Sequence, residues 1–108
     1  MKLTGKCRAD FNKWLDSKYA YNIVDWERSR RILKEAFCLE FFDLRGLYID
    51  RLTPEREVRI WDYRDGEPDK PIVIDTTYTD RCEEYHEAIE KANDLYNNKN
   101  LLCDQKQH

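Results

Sequence analysis

The residues with the clearest chemical potential are Cys82 and His86, which lie four positions apart in a segment of helical periodicity. At that spacing a thiol and an imidazole can meet on one helix face, as a nucleophilic pair or half of a metal site requires. A nucleophilic pair also needs an orienting group and an oxyanion site, and a metal needs further ligands. No motif supplies them, and the only other histidine is His108. We therefore expect Cys82 and His86 to be core or boundary residues.

Other motifs of catalysis and cofactor binding are missing from the sequence. It contains no G-x-G-x-x-G, no P-loop and no H-E-x-x-H, and its three glycines cannot build a phosphate-binding loop. Carboxylates at helical spacing, such as Glu83 and Glu87, are ordinary surface neighbours. The four cysteines lack zinc or redox spacing and are interpreted as reduced thiols: Cys7, Cys38, Cys82 and Cys103. We expect no catalytic residue, no cofactor, no metal and no enzymatic activity.

Composition predicts one small domain with a well-solvated surface. The 108 residues are 41% hydrophobic, 13% aromatic and 38% charged. No apolar run approaches the roughly 20 residues that span a bilayer, and the first residues are too polar for a signal peptide. We therefore expect a cytoplasmic protein that does not bind membranes.

Charge is distributed unevenly along the chain. Residues 1–60 hold 13 Lys and Arg against 10 Asp and Glu, whereas residues 61–108 hold 6 against 12. The first part is near +3 and the second near −6, for a net charge of −3. A strongly basic domain would favour nucleic acid as the partner, and this chain lacks that balance.

The first 44 residues predict two amphipathic helices. The first begins at Thr4 or Gly5 and reaches about Tyr19, with an apolar stripe at 3.6-residue spacing: Cys7, Phe11, Trp14, Leu15 and Lys18. The second begins at Asp25 as N-cap, and its buried face combines six residues: Leu33, Phe37, Phe41 and Leu44, widened by Cys38 and Phe42. Its first turns carry a basic patch that a solvated helix surface explains: Arg28, Arg30, Arg31 and Lys34.

Gly46 is predicted to end the second helix in a left-handed conformation, with Leu47 packing back on Phe42. Three strands follow at about residues 47–53, 57–64 and 72–77, separated by turn residues. Short connections favour an antiparallel meander.

Strand periodicity then separates two faces of this sheet. One phase is expected to face the helices: Leu47, Ile49, Val58, Ile60, Ile72 and Ile74. The opposite phase mixes aromatic, arginine and carboxylate residues: Tyr48, Asp50, Arg59, Trp61, Tyr63, Val73 and Asp75. Tyr, Trp and Arg dominate interface hot spots, so this second phase is a candidate recognition surface. Burial under the N-terminal helix or a second copy of the chain is an equally weighted alternative.

The last helix is predicted from Thr79 or Asp80 to about Asn98. Asp80 and Glu83 have the spacing of a capping box. Its apolar stripe contains Cys82, Tyr85, Ile89, Ala92 and Tyr96. Its outer face is acidic: Asp80, Glu83, Glu84, Glu87, Glu90 and Asp94.

These elements together predict an α+β fold of order α-α-β-β-β-α, with the C-terminal helix packed on one sheet face. Residues 1–98 are expected to form a single compact domain, and residues 99–108 a loosely ordered tail.

Three stretches resemble a group of small proteins that phages and prophages of gut bacteria encode. They are Leu3-Thr4-Gly5-Lys6-Cys7 with Asp10-Phe11, then Phe41-Phe42-Asp43 followed by Gly46-Leu47-Tyr48-Ile49-Asp50, and finally the segment from Ala88 to Asn97. Relatives in this group tend to have a small or basic residue where this chain has Glu83, Glu84, Tyr85 and His86. The resemblance implies a phage setting and no particular activity, so it transfers no functional residue.

Two functions of different class fit the sequence. The first is a protein-binding module, an accessory or host-takeover protein, whose contact residues come from the sheet or the acidic helix: Tyr48, Arg59, Trp61, Tyr63, Glu83, Glu84 and Glu87. On the helix, the acids would imitate a phosphate backbone. The second is a nucleic-acid binder with the layout of double-stranded RNA-binding domains, using the basic patch. Those domains place lysines at the start of the last helix, where this chain has acids, so this function ranks second.

Overall fold

The computed structural model describes residues 2–19, 28–52, 55–80 and 83–106, with the side chains of the last helix described as far as residue 98. Three helices and three strands follow in chain order: α1 (Gly5–Tyr19), α2 (Arg31–Leu44), β1 (Leu47–Leu52), β2 (Glu57–Asp62), β3 (Ile72–Asp75) and α3 (Glu84–Lys106). The sheet order is β1-β2-β3 and both pairings are antiparallel. The predicted α+β fold is confirmed.

α1 forms where its periodicity predicts, with Cys7, Phe11 and Leu15 buried, whereas Lys18 of the predicted stripe is exposed. Its N-terminus is held by side chains of α3. The Thr4 N–H donates to Asn93 Oδ1 over 2.9 Å, and the Cys7 N–H donates to Asn97 Oδ1 over 2.8 Å. Two of the backbone donors that every helix leaves unpaired at its start are therefore satisfied from the other end of the chain.

α2 differs from its prediction at both the start and the buried face. It begins at Arg31 after an extended Arg30, and Asp25 lies outside the described residues. Cys38, Phe41 and Phe42 are buried, whereas Leu33 and Leu44 are 42% and 56% exposed. The buried stripe is centred on Cys38, Phe41 and Phe42. Leu33 and Leu44 lie more than about 100° around the helix axis from that centre. Their assignment to the core was wrong.

Gly46 ends α2 as predicted. It has φ +87°, and its N–H donates to the Asp43 carbonyl over 3.1 Å. A Cβ at this position would lie 3.2 Å from Arg64 Cγ. The chain then turns directly into β1, so the glycine fixes which β1 side chains point toward the helices.

The helix-facing side of the sheet, which we call the inner face, is the predicted one. Leu47, Val58 and Ile60 are fully buried, and Ile49 is nearly so. Ile72 and Ile74 are partly buried against the same core. α2 contacts β1, and α3 contacts both β1 and β2, so one apolar cluster joins sheet and helices.

α3 begins later than predicted. Its first residue is Glu84, and the Asp80 carbonyl accepts a hydrogen bond from the Glu83 N–H over 2.8 Å in the preceding turn. Ala88, Ile89 and Ala92 are buried along its stripe. The helix continues to Lys106, whereas the sequence predicted its end near Asn98. Among the residues that the structure describes, no helix has the length and apolarity to cross a membrane.

Candidate functional site

The face of the sheet opposite the helices, which we call the outer face, carries the predicted aromatic and charged residues. Tyr48 of β1 lies directly opposite Trp61 of β2. Tyr63 follows β2, and its N–H donates to the Gly46 carbonyl over 2.7 Å, so its side chain lies at the same end. Tyr48 is 44% exposed, Tyr63 is 49% exposed and Trp61 is half-buried. Three aromatic side chains therefore share one end of this face.

The middle of the outer face is a row of three side chains across the sheet. Asp50 of β1 lies opposite Arg59 of β2, which lies opposite Val73 of β3. Val73 is 52% exposed, and the Arg59 side chain is 33% exposed.

Arg59 does not pair with its neighbour across the strands. Its Nη2 lies 3.5 Å from Glu57 Oε2 on its own strand. Arg59 Nε and Asp50 Oδ1 are covered and have no hydrogen-bond partner among the described residues. The polar groups at the centre of the face therefore retain unused hydrogen-bonding capacity.

Glu84 is the clearest departure from the predicted acidic surface. It is 2% exposed, and its carboxylate lies 3.6 Å from Arg51 Nη1 and 3.2 Å from Arg56 Nε. Glu83 in the turn before α3 and Glu87 on α3 are exposed. The assignment of Glu84 to the outer face of the last helix was wrong, because two arginines from the sheet side draw its charge inward.

Arg56 organises this ion network and was missed by the sequence reasoning. It has φ +56° in the turn between β1 and β2. Its carbonyl accepts hydrogen bonds from the Thr76 N–H over 2.8 Å and the Thr76 hydroxyl over 2.6 Å. Its guanidinium also donates to the Thr79 carbonyl. One residue thus ties the hairpin turn to the exit of β3 and the start of α3.

A signal for this network was present in the sequence. Arg51 occupies the inner phase of β1, two residues after the core residue Ile49, and lies opposite the buried Val58 of β2. A charged residue in that phase requires a buried partner of opposite sign. The carboxylate at the start of the next packed helix is such a partner.

The structure describes only one member of the candidate thiol–imidazole pair. Cys82 lies outside the described residues. His86 Nε2 lies 3.4 Å from Glu35 Oε1, so His86 faces a carboxylate on α2. That contact places His86 at the boundary between α2 and α3.

The described cysteines are poor nucleophiles. Cys7 and Cys38 are fully buried free thiols. Burial raises the pKa of each to about 12, with a smaller contribution from Asp10 for Cys7 and from Cys7 for Cys38. A thiol that stays protonated neither attacks an electrophile nor binds a metal readily. Within the described residues, no three His, Cys, Asp or Glu side chains cluster as a metal site.

The fold and this surface define a small α+β protein with helices packed on the inner face of its sheet. No protein-family model matches the chain, and no curated protein or solved structure matches it.

Proposed function

We propose that the protein acts without catalysing a reaction, as a module that binds a protein partner through the outer face of its sheet. The observation that carries the proposal is the exposure of Tyr48, Tyr63 and Val73 on a three-stranded sheet whose other face holds the core. Amphipathic aromatic side chains at this density contribute large contact area for little loss of conformational entropy.

The composition of the outer face supports a protein partner. Aromatic residues lie at one end, Arg59 at the centre, and the carboxylates of Glu57 and Asp75 at the other end, where these two residues are register partners. Such a gradient offers apolar anchoring and charge selection on one surface. A partner segment with an apolar side chain and a cation at matching spacing has the complementary chemistry.

The sheet is favoured over the acidic helix as the contact surface. Imitation of a phosphate backbone needs a continuous row of exposed negative charge. Glu84 adds no charge to that row, because its carboxylate is buried between Arg51 and Arg56. Glu83 and Glu87 remain exposed, and the proposal gives them a peripheral role because the exposed Lys91, one turn after Glu87, offsets part of the negative charge.

The biological setting belongs to the same proposal. The resemblance to small phage and prophage proteins supports an accessory or host-takeover role in the cytoplasm of a bacterial host. In that setting the partner is a protein of the host or of the phage.

Quantitative affinity capture from host lysate tests the sheet face directly. The wild type, a Tyr48→Ala/Arg59→Ala variant and a Glu87→Gln variant would be compared by mass spectrometry at equal loading. The proposal expects one or a few proteins retained by wild type and Glu87→Gln and depleted at least about tenfold by the sheet variant. Equal retention by all three would exclude the outer face as the contact surface.

Trp61→Ala examines whether the outer face is free in the isolated protein. Because Trp61 is half-buried and lies opposite Tyr48, we expect a loss of about 1 kcal/mol in the free energy of unfolding. Urea denaturation measures it. A loss above about 3 kcal/mol would mean that this face is core or the interface of a homo-oligomer.

Nucleic-acid binding is the outcome that would replace the proposal. A mobility shift with generic duplex DNA and RNA at low salt is expected to show no complex. A salt-sensitive complex that disappears in Arg28→Glu/Arg31→Glu would instead favour the basic residues before and at the start of α2.

A further inference from the structure

A cleft of about 290 Å³ lies where α1 meets the C-terminal end of α2, away from the residues of the outer face. Four α1 residues and the residue that follows α2 line it: Asp10, Lys13, Trp14, Ser17 and Arg45. Its volume is at the small end of the range for ligand sites, which suits a molecule of one ring and one polar group.

The donors in this cleft lack acceptors among the residues that the structure describes. The side chains of Lys13, Ser17 and Arg45 make no hydrogen bond or ion pair with any described residue. Ser17 and both cations are exposed, so these donors remain available to a ligand. Together they present an ammonium, a hydroxyl and a guanidinium.

The one carboxylate in the cleft is already engaged. Asp10 Oδ2 accepts from Lys6 Nζ over 2.8 Å and from the Tyr96 hydroxyl over 2.5 Å. Burial alone would raise the pKa of Asp10, but these hydrogen bonds and the positive charges of Lys6 and Arg45 outweigh it and leave the pKa below its ordinary value. Arg45 shares the field of Asp10 with Lys6, but Lys6, Lys13 and Arg45 together outnumber this one carboxylate, so the cleft attracts negative charge.

Aromatic residues hold the cleft in shape. The Arg45 guanidinium carbon lies 5.1 Å from the centre of the Phe41 ring, in a cation–π contact. The Trp14 ring packs against Phe11 at 5.7 Å and Phe41 at 5.6 Å between ring centres. Because these core rings hold Trp14 and Arg45 in place, the two side chains lose little conformational freedom when a ligand binds.

We propose that this cleft binds the oxyanion of a small aromatic acid, with the anion held by Lys13, Ser17 and Arg45 and the ring lying against Trp14. Both a carboxylate and a phosphate monoester have this chemistry. Arg45 can take either in a two-point contact, because its fork matches both geometries. The site is independent of the outer face, so either proposal stands if the other fails.

Titration of the full chain with four probes, followed by two-dimensional ¹H–¹⁵N NMR, tests the site. Phenyl phosphate, benzoate, inorganic phosphate and benzylamine separate the contributions of anion type and ring. We expect saturable shifts of the Trp14 indole N–H and of the Arg45 resonances with phenyl phosphate or benzoate. Inorganic phosphate is expected to bind more weakly, and benzylamine to cause no saturable shift. The relative affinity of the two aromatic anions identifies the source of the oxyanion.

Three outcomes would overturn the proposal: no saturable shift with either aromatic anion, equal shifts with benzylamine, or shifts confined to residues outside the cleft. Binding of inorganic phosphate as tight as that of both aromatic anions would also remove the role of Trp14.

Arg45→Gln and Lys13→Gln supply the matched variants, with Lys70→Gln as a control that removes one exposed charge from the loop before β3. Each cleft variant should weaken binding of the aromatic anion by about tenfold or more, while the control changes it less than twofold. An equal weakening in all three variants would indicate only a general charge effect and would contradict a defined site. Thermal melts of each variant confirm that the comparison is between folded proteins.

Discussion

The two faces of the sheet are built from alternate residues of the same strands, yet their environments differ sharply. Val58 and Ile60 on the inner face are fully buried, whereas Tyr48 and Val73 on the outer face are 44% and 52% exposed. The inner residues are constrained by packing, which close-packed cores enforce to within about a methylene group. The outer residues carry no such constraint. The difference indicates that substitutions on the inner face change mainly stability, whereas substitutions on the outer face can change recognition without a large change in stability.

Alkaline pH should produce the largest effect, because it deprotonates two thiols that are fully buried in the core. Burial raises the pKa of the Cys7 and Cys38 thiols from 9.0 to about 12, so the folded state keeps protons that the unfolded state releases. Their contribution to stability is complete below pH 9 and is lost as the pH rises toward 12. At pH 11 the loss is roughly 3 kcal/mol for each thiol.

Urea denaturation at pH 8 and pH 11 in the presence of a reductant measures this loss. A Cys7→Ala/Cys38→Ala variant should be less stable at pH 8 but show a smaller decrease at pH 11. Parallel decreases in the variant and the wild type would show that the thiols do not carry the pH dependence.

Ile60→Ala and Val73→Ala compare the two faces with the same class of substitution. We expect Ile60→Ala to lower the free energy of unfolding by about 3 kcal/mol, since it leaves a cavity in a fully buried site. Val73→Ala should lower it by about 0.5 kcal/mol because that side chain is largely in water. Equal losses in urea denaturation would mean that the outer face is covered in solution.

Gly46→Val tests the junction that assigns β1 residues to each face. A β-branched residue is strained at φ +87°, and its Cβ would meet Arg64 Cγ at 3.2 Å. We expect a loss of about 2 kcal/mol, measured by thermal melting. Gly46→Asn is the milder control, since asparagine tolerates the left-handed region better. A valine variant as stable as the asparagine variant would argue against the glycine requirement.

Glu84→Gln and Glu87→Gln compare a buried and an exposed carboxylate on the same helix. The first leaves Arg51 and Arg56 without their counter-charge and should cost about 1.5 kcal/mol, a value reduced because Arg51 is itself 39% exposed. The second should change the free energy of unfolding by less than about 0.5 kcal/mol. Similar losses of unfolding free energy for the two variants in urea denaturation would mean that Glu84 is exposed in solution.

Local patterns predicted the fold well because the relevant forces are local. Alternation in β1, β2 and β3 placed Leu47, Ile60 and Ile74 against the helices, and Gly46 marked the end of α2 by its conformational freedom. Leu33 and Leu44 were misplaced because hydrophobicity alone does not reveal which arc of a helix meets its neighbours. The start of α3 was misplaced because Asp80 and Glu83 have capping-box spacing in a turn that precedes the helix.

The functional surfaces were predictable only in part. Strand phase located Tyr48, Arg59 and Trp61 on the outer face. It could not show that Glu84 turns inward, since that depends on Arg51 and Arg56 arriving from other elements. The cleft at Trp14 and Arg45 was equally hidden, because its two sides are separated by about 30 residues and meet only after α1 packs on α2.

The side-chain amides of Asn93 and Asn97 have a consequence for the order of folding. They pair with Thr4 and Cys7 across 89 and 90 positions of the chain. Contacts of such sequence separation close a loop of nearly the whole molecule and therefore form late. During synthesis, α1 emerges long before these amides exist, and its first turn has no partner until α3 has been made. The last helix therefore completes the first one.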